Sequence, residues 1–82
     1  MIALFKPEES AYIELKLALS DKLRAQRRSK QLTQAQLAHM VSSSQSRIAK
    51  MEAGDPTVTI DLLIKSLLAL GVSPREIGRT IS

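Results

Sequence analysis

A chain of 82 residues carries one domain, and about 60% burial of its unfolded surface is all that this length permits. Its aromatic residues are Phe5 and Tyr12 alone, so Leu, Ile, Val, Ala and Met must fill the core, a palette that suits helices better than strands. The absence of cysteine excludes disulfides and thiolate metal sites, the single His39 excludes a multi-histidine site, and the net charge of +4 is a modest excess whose distribution matters more than its total.

The opening Met1-Ile2-Ala3-Leu4-Phe5-Lys6 is too short an apolar stretch, without a basic leader, to read as a signal peptide. No apolar run approaches the roughly 20 residues that span a bilayer, so a soluble, cytoplasmic protein without membrane association is expected. Residues 1–5 are a candidate extended arm.

Helical periodicity starts at Glu8. Pro7 suits a first helical position, and Glu8 and Glu9 complement the positive end of the helix dipole. Tyr12, Leu15, Leu19 and Leu23 fall at spacings of three or four and predict one buried stripe on a helix running to Lys30. Toward its end Lys22, Arg24, Arg27, Arg28 and Lys30 place five cations in nine residues, with Asp21 the only acid nearby. That cluster fits a polyanion, and it also complements the negative end of the dipole.

Gln31-Leu32 interrupts the period. Thr33 then has the form of an N-cap, with Gln36 completing a capping box, and predicts a helix from Gln34 to about Met40. The run Ser42-Ser43-Ser44 signals a turn whose last serine caps a third helix, about Gln45 to Ala53. Gly54 fits the position just past that helix, and Asp55-Pro56 stops its continuation. Thr59 caps a fourth helix, apolar on more than one face and therefore expected to be the most buried, which ends at Gly71. Ser73-Pro74-Arg75-Glu76 starts a fifth helix that reaches the C-terminus. The architecture predicted is all-α, with five helices and no strand.

The stretch Leu32-Thr33-Gln34-Ala35-Gln36-Leu37-Ala38, followed by Ser44-Gln45-Ser46-Arg47-Ile48-Ala49-Lys50-Met51-Glu52-Ala53-Gly54, resembles the phage-repressor-like (Xre/Cro) helix-turn-helix family. The resemblance continues through Leu62-Leu63 to Leu70-Gly71-Val72 and spans about residues 20–72. It implies a compact, five-helix, lambda-repressor-like domain that binds double-stranded DNA as a transcription regulator. Residues 1–19 are then an N-terminal extension with the start of the first helix, and residues 73–82 a C-terminal helix and candidate dimer contact.

By that resemblance each matched residue has a task. Leu37, Ala38, Val41, Ile48 and Met51 form the inward face that positions the reading helix. Gln45, Ser46 and Arg47 lie at the end of that helix which reaches base edges, behind the cap Ser44, with Lys50 one turn further. Glutamine can pair with adenine and arginine with guanine, each good bidentate contact giving about 1–3 kcal/mol of discrimination. Gln34 matches a phosphate-binding glutamine that braces Gln45. Arg28 and Lys30 are phosphate candidates, whereas Arg27 and Glu52 match a pair that forms an internal salt bridge. Ser42 stands where the family usually has glycine, because positive φ is needed there, and Ser43 where an apolar residue is usual.

No carboxylate pairing, nucleophile elbow or glycine-rich phosphate loop is present, so neither catalysis, a metal nor a cofactor is expected. His39 reads as a surface or boundary residue. The resemblance implies a repressor acting as a homodimer on a pseudo-palindromic operator, with Val72, Ile77, Ile81 and the arm Ile2-Leu4-Phe5 as candidate dimer contacts. The alternative is an antitoxin that binds a toxin protein through the segment before residue 20 and also represses its own operon.

Overall fold

The computed structural model describes residues 7–82, which form five helices: α1 Pro7–Ser29, α2 Gln34–Met40, α3 Gln45–Ala53, α4 Ile60–Ala69 and α5 Pro74–Ile81. The candidate arm at Ile2-Leu4-Phe5 lies outside the described residues. Each of the four later helices starts on a hydroxyl cap: Thr33, Ser44, Thr59 and Ser73 each accept a hydrogen bond from the backbone N–H three residues on. Such caps satisfy donors that a helix start leaves free.

The helix ends repeat one device. Gln31, Ser42, Gly54 and Gly71 all adopt positive φ, at 58°, 54°, 73° and 86°. At each, the next residue's N–H reaches back five positions: Leu32 to Arg27, Ser43 to Ala38, Asp55 to Lys50 and Val72 to Leu67. This left-handed turn closes open carbonyls and redirects the chain. Glycine adopts it freely, whereas Gln31 and Ser42 adopt it against the preference of an L-residue.

The long α1 is the spine, packing on α3, α4 and α5, while α2 packs on α3. The core joins Leu19 and Leu23 of α1 to Leu37 and Ala38 of α2, Ile48 and Met51 of α3, and Leu63 and Leu67 of α4, with Val58, Leu70, Val72 and Ile77 closing it. Val41 packs at its edge, half-buried.

Three expectations change. The predicted α1 stripe is buried only at Leu19 and Leu23; Leu15 is half-buried, and Tyr12 is 49% exposed. Lys16 and Ser20 share the buried face instead, while every residue from Pro7 to Glu14 is exposed. Second, α4 buries one of its apolar faces and leaves another open. Its inward residues are Leu63, Ser66 and Leu67, while Leu68 is 45% exposed, because α4 lies on α1 and α5 with its far side open. Third, Val72 and Ile77 are 2% and 6% exposed. They close the core and cannot meet a second subunit; of the candidate dimer contacts in the described residues, Ile81 alone is exposed.

Candidate nucleic-acid interface

The unit formed by α2, the turn and α3 is built from local chemistry. Thr33 and Gln36 form the complete capping box: Gln36 N–H donates to Thr33 Oγ1 at 3.0 Å, and Thr33 N–H donates to Gln36 Oε1 at 2.7 Å. The helix stops at Val41, and Ser42 turns the chain through its positive φ. Ser44 is extended, and its Oγ accepts the Arg47 N–H at 3.2 Å. Ser43, at the position where the family prefers an apolar residue, is half-buried.

Helix α3 has two sides of opposite character. Ile48, Met51 and Glu52 are buried. Gln45, Ser46, Arg47 and Lys50 are exposed. Ser44, Ser46, Arg47 and Lys50 line one open groove with Thr57, Thr59, Asp61 and Lys65 across from them. Gln45 is exposed on the first turn, outside the lining of that groove. His39 is exposed on α2.

Behind α3 lies an ion pair that fastens it to α1. Arg27 Nε donates to Glu52 Oε2 at 2.6 Å and a terminal Arg27 nitrogen to Glu52 Oε1 at 2.9 Å. The remaining terminal nitrogen donates to the Leu32 carbonyl at 2.8 Å. The side chains are 13% and 4% exposed, so the pair is largely withdrawn from water. The Glu52 hydrogen bonds, helped by its charge, raise the Arg27 pKa above its ordinary value against the opposing effect of burial. Gln34 joins this network: its amide donates to Glu52 Oε1 at 3.4 Å. Its hydrogen bond therefore goes to Glu52 and not to Gln45, the partner implied by the family resemblance.

The cationic cluster of α1 is largely neutralised within the fold. Lys22 pairs with Glu76 at 3.3 Å, Arg24 with Asp21 at 3.1 Å, and Arg27 with Glu52. Arg28 and Lys30 are exposed and form no ion pair among the described residues. They sit at the end of α1, outside the α3 groove. The cluster that looked like one patch thus reduces to two free cations.

The loop from α3 to α4 is pinned from both sides. Gly54 carries positive φ, and a β-carbon there would stand 2.6 Å from Leu17 Cδ2. Asp55 accepts hydrogen bonds from the Thr57 hydroxyl and, at 2.8 Å, the Thr57 N–H. These bonds, with lesser help from the charges of Lys50 and Lys16, hold the Asp55 carboxyl below its ordinary pKa. Lys16 Nζ donates to the Pro56 carbonyl at 2.9 Å. Thr57, Thr59 and Lys65 were not singled out as site residues from the sequence; the cap at Thr59 was the one signal that located this wall of the groove.

A short two-helix unit, capped and turned in this way, with one exposed polar helix braced from behind, defines a helix-turn-helix protein. The helix-turn-helix family model matches residues 23–77, and the chain belongs to that family, of Xre/Cro type. No curated protein and no solved structure matches it. The family is one of DNA-binding regulators, not of enzymes. Among the described residues no group of three His, Asp or Glu is placed to hold a metal, and no helix is long and apolar enough to cross a membrane.

Proposed function

We propose that this DNA-binding regulator is sequence-specific, lays α3 in the major groove, and acts as a homodimer on a pseudo-palindromic operator. The two-sided character of α3 carries the reading. Its exposed Gln45, Ser46, Arg47 and Lys50 have the donors and acceptors that base edges and phosphates require, and its buried side is locked to α1 through Glu52. Arg28 and Lys30, Ser44 at the helix start and Gln34 beside the Glu52 carboxylate are assigned to the phosphate backbone. Dimerisation supplies the contact area that one small module lacks.

Selection of bound duplexes from a random pool tests this directly. The expected result is one preferred sequence with two related half-sites, and affinity that falls as salt rises. Gln45→Ala and Arg47→Ala are expected to relax preference at particular base pairs, while Arg28→Ala weakens binding evenly across sequences. A pool without enrichment, or an affinity indifferent to salt, overturns the proposal.

A second reading, the antitoxin, keeps the same duplex chemistry and adds a toxin protein as partner. The observation in its favour is the exposed apolar face on the first turns of α1, where Tyr12, Ile13 and Leu17 are 49%, 37% and 45% exposed. Copurification of a second small protein tests it.

A further inference from the structure

Helix α1 outruns the domain it supports. Every residue from Pro7 to Glu14 is exposed, and burial begins with Leu15 and Lys16. The periodicity that builds the core nevertheless continues onto these turns, since Tyr12 lies one turn before Lys16 on the same side as Leu19 and Leu23. Tyr12, Ile13 and Leu17, with Gly54 and Pro56, line an apolar hollow at the base of the projecting helix. The face continues outward over Tyr12 and Ile13 to Glu8 and Glu9.

Charge decides what fits there. Among the described residues the projecting turns hold Glu8, Glu9 and Glu14, with no cation before Lys16; Lys6 lies outside the described residues. Lys16 itself is 7% exposed, with its ammonium bound to the Pro56 carbonyl. An acidic rim on a chain of net charge +4 is a segregated feature. It repels nucleic acid and anionic lipid. A second copy paired symmetrically through this face would set the same carboxylates against each other, since its free Arg28 and Lys30 lie at the other end of α1. The complementary occupant is a protein segment with apolar side chains for the hollow and Lys or Arg for the rim.

We propose that this face docks a basic amphipathic helix of a partner protein, with its apolar stripe against Tyr12, Ile13 and Leu17 and its cations opposite Glu8 and Glu9. The proposal deepens the antitoxin reading, and it rests on that reading only for the class of partner.

The full chain is titrated with synthetic helical peptides that share one leucine stripe, flanked in one by lysines and in the other by glutamates, while backbone amide NMR shifts are followed. The lysine peptide is expected to move the amides of Tyr12, Ile13, Leu17 and Gly54, and the glutamate peptide to leave them in place. Ile13→Asp is expected to weaken that binding by about tenfold or more, from loss of a buried apolar side chain. Glu8→Gln with Glu9→Gln, both at exposed positions, is expected to weaken it by about threefold. Duplex binding should be unchanged in both variants. Equal response to the two peptides, no response to either, or shifts confined to other helices overturns the proposal. So does a self-association, measured by sedimentation, that Ile13→Asp abolishes, because the face would then belong to a second copy. A copurifying partner whose binding ignores these variants would leave the antitoxin reading standing and sink this surface alone.

Discussion

Replacing Glu52 by alanine is the sharpest test of how α3 is held. The substitution removes both carboxylate acceptors from Arg27 and leaves it one partner, the Leu32 carbonyl. It also frees the Gln34 amide. With side chains 13% and 4% exposed, the pair is closer to the buried than to the surface class. Stranding one member of a buried pair costs about 3–5 kcal/mol, whereas an exposed pair contributes about 0–1 kcal/mol. A chain of this length has a total stability of about 4–12 kcal/mol, so the loss would be a large share of it. At about 4–8 °C per kcal/mol for a small domain, the expected fall in Tm is about 12–40 °C. Urea and thermal unfolding followed by far-ultraviolet circular dichroism measure it. Arg27→Met combined with Glu52→Leu should recover much of the loss, because no charge is then left stranded. A Glu52→Ala loss below about 1 kcal/mol would refute a buried clamp. A double variant as unstable as the single one would refute the stranded-charge argument and point to packing.

Three further outcomes are expected. Ser42→Gly should stabilise the chain by about 1 kcal/mol, because glycine adopts the observed φ of 54° without the strain of a β-carbon; unchanged or lowered stability in urea would contradict this. Ser20→Ala should be neutral or stabilising by up to about 1 kcal/mol, since the buried Ser20 Oγ has no hydrogen-bond partner among the described residues and alanine favours the helix; a clear loss of Tm would mean that the hydroxyl has a role. Thr57→Val removes the hydroxyl that contributes most to lowering the Asp55 pKa, so the Asp55 carboxyl should titrate nearer its ordinary range by NMR. The depressed pKa stabilises the fold above the unfolded pKa and loses that effect as pH falls through the folded value, so Thr57→Val should also reduce the acid-side dependence of stability. An unmoved Asp55 titration would contradict the assignment.

The helix boundaries were legible because their causes are local. Thr33, Ser44, Thr59 and Ser73 lie within three residues of the groups they satisfy, and Gly54 and Gly71 mark their own turns. Arg27 with Glu52 is separated by 25 positions, and it was legible only through the family resemblance. Other features had no local signal. Periodicity marks the side of a helix that suits a core but not where neighbouring helices end, so Tyr12 was assigned to an interior that stops short of it. Lys16 is buried because its stem covers the loop while its ammonium reaches a carbonyl 40 positions away. The pairing of Lys22 with Glu76 depends on α5 packing beside α1, and it removes a charge that the sequence alone left free. At Gln31, nothing in the residue type announced a left-handed turn.

The two sides of α3 have a consequence for how such a protein changes over time. Ile48, Met51 and Glu52 carry the packing and the clamp, while Gln45, Ser46, Arg47 and Lys50 carry none of it. Substitutions at exposed helix positions usually alter stability by no more than about 0.5 kcal/mol. The proposed reading face can therefore be rewritten one residue at a time while the fold stays above its threshold for function. A duplicated copy could acquire a different DNA-facing surface without passing through an unfolded ancestor.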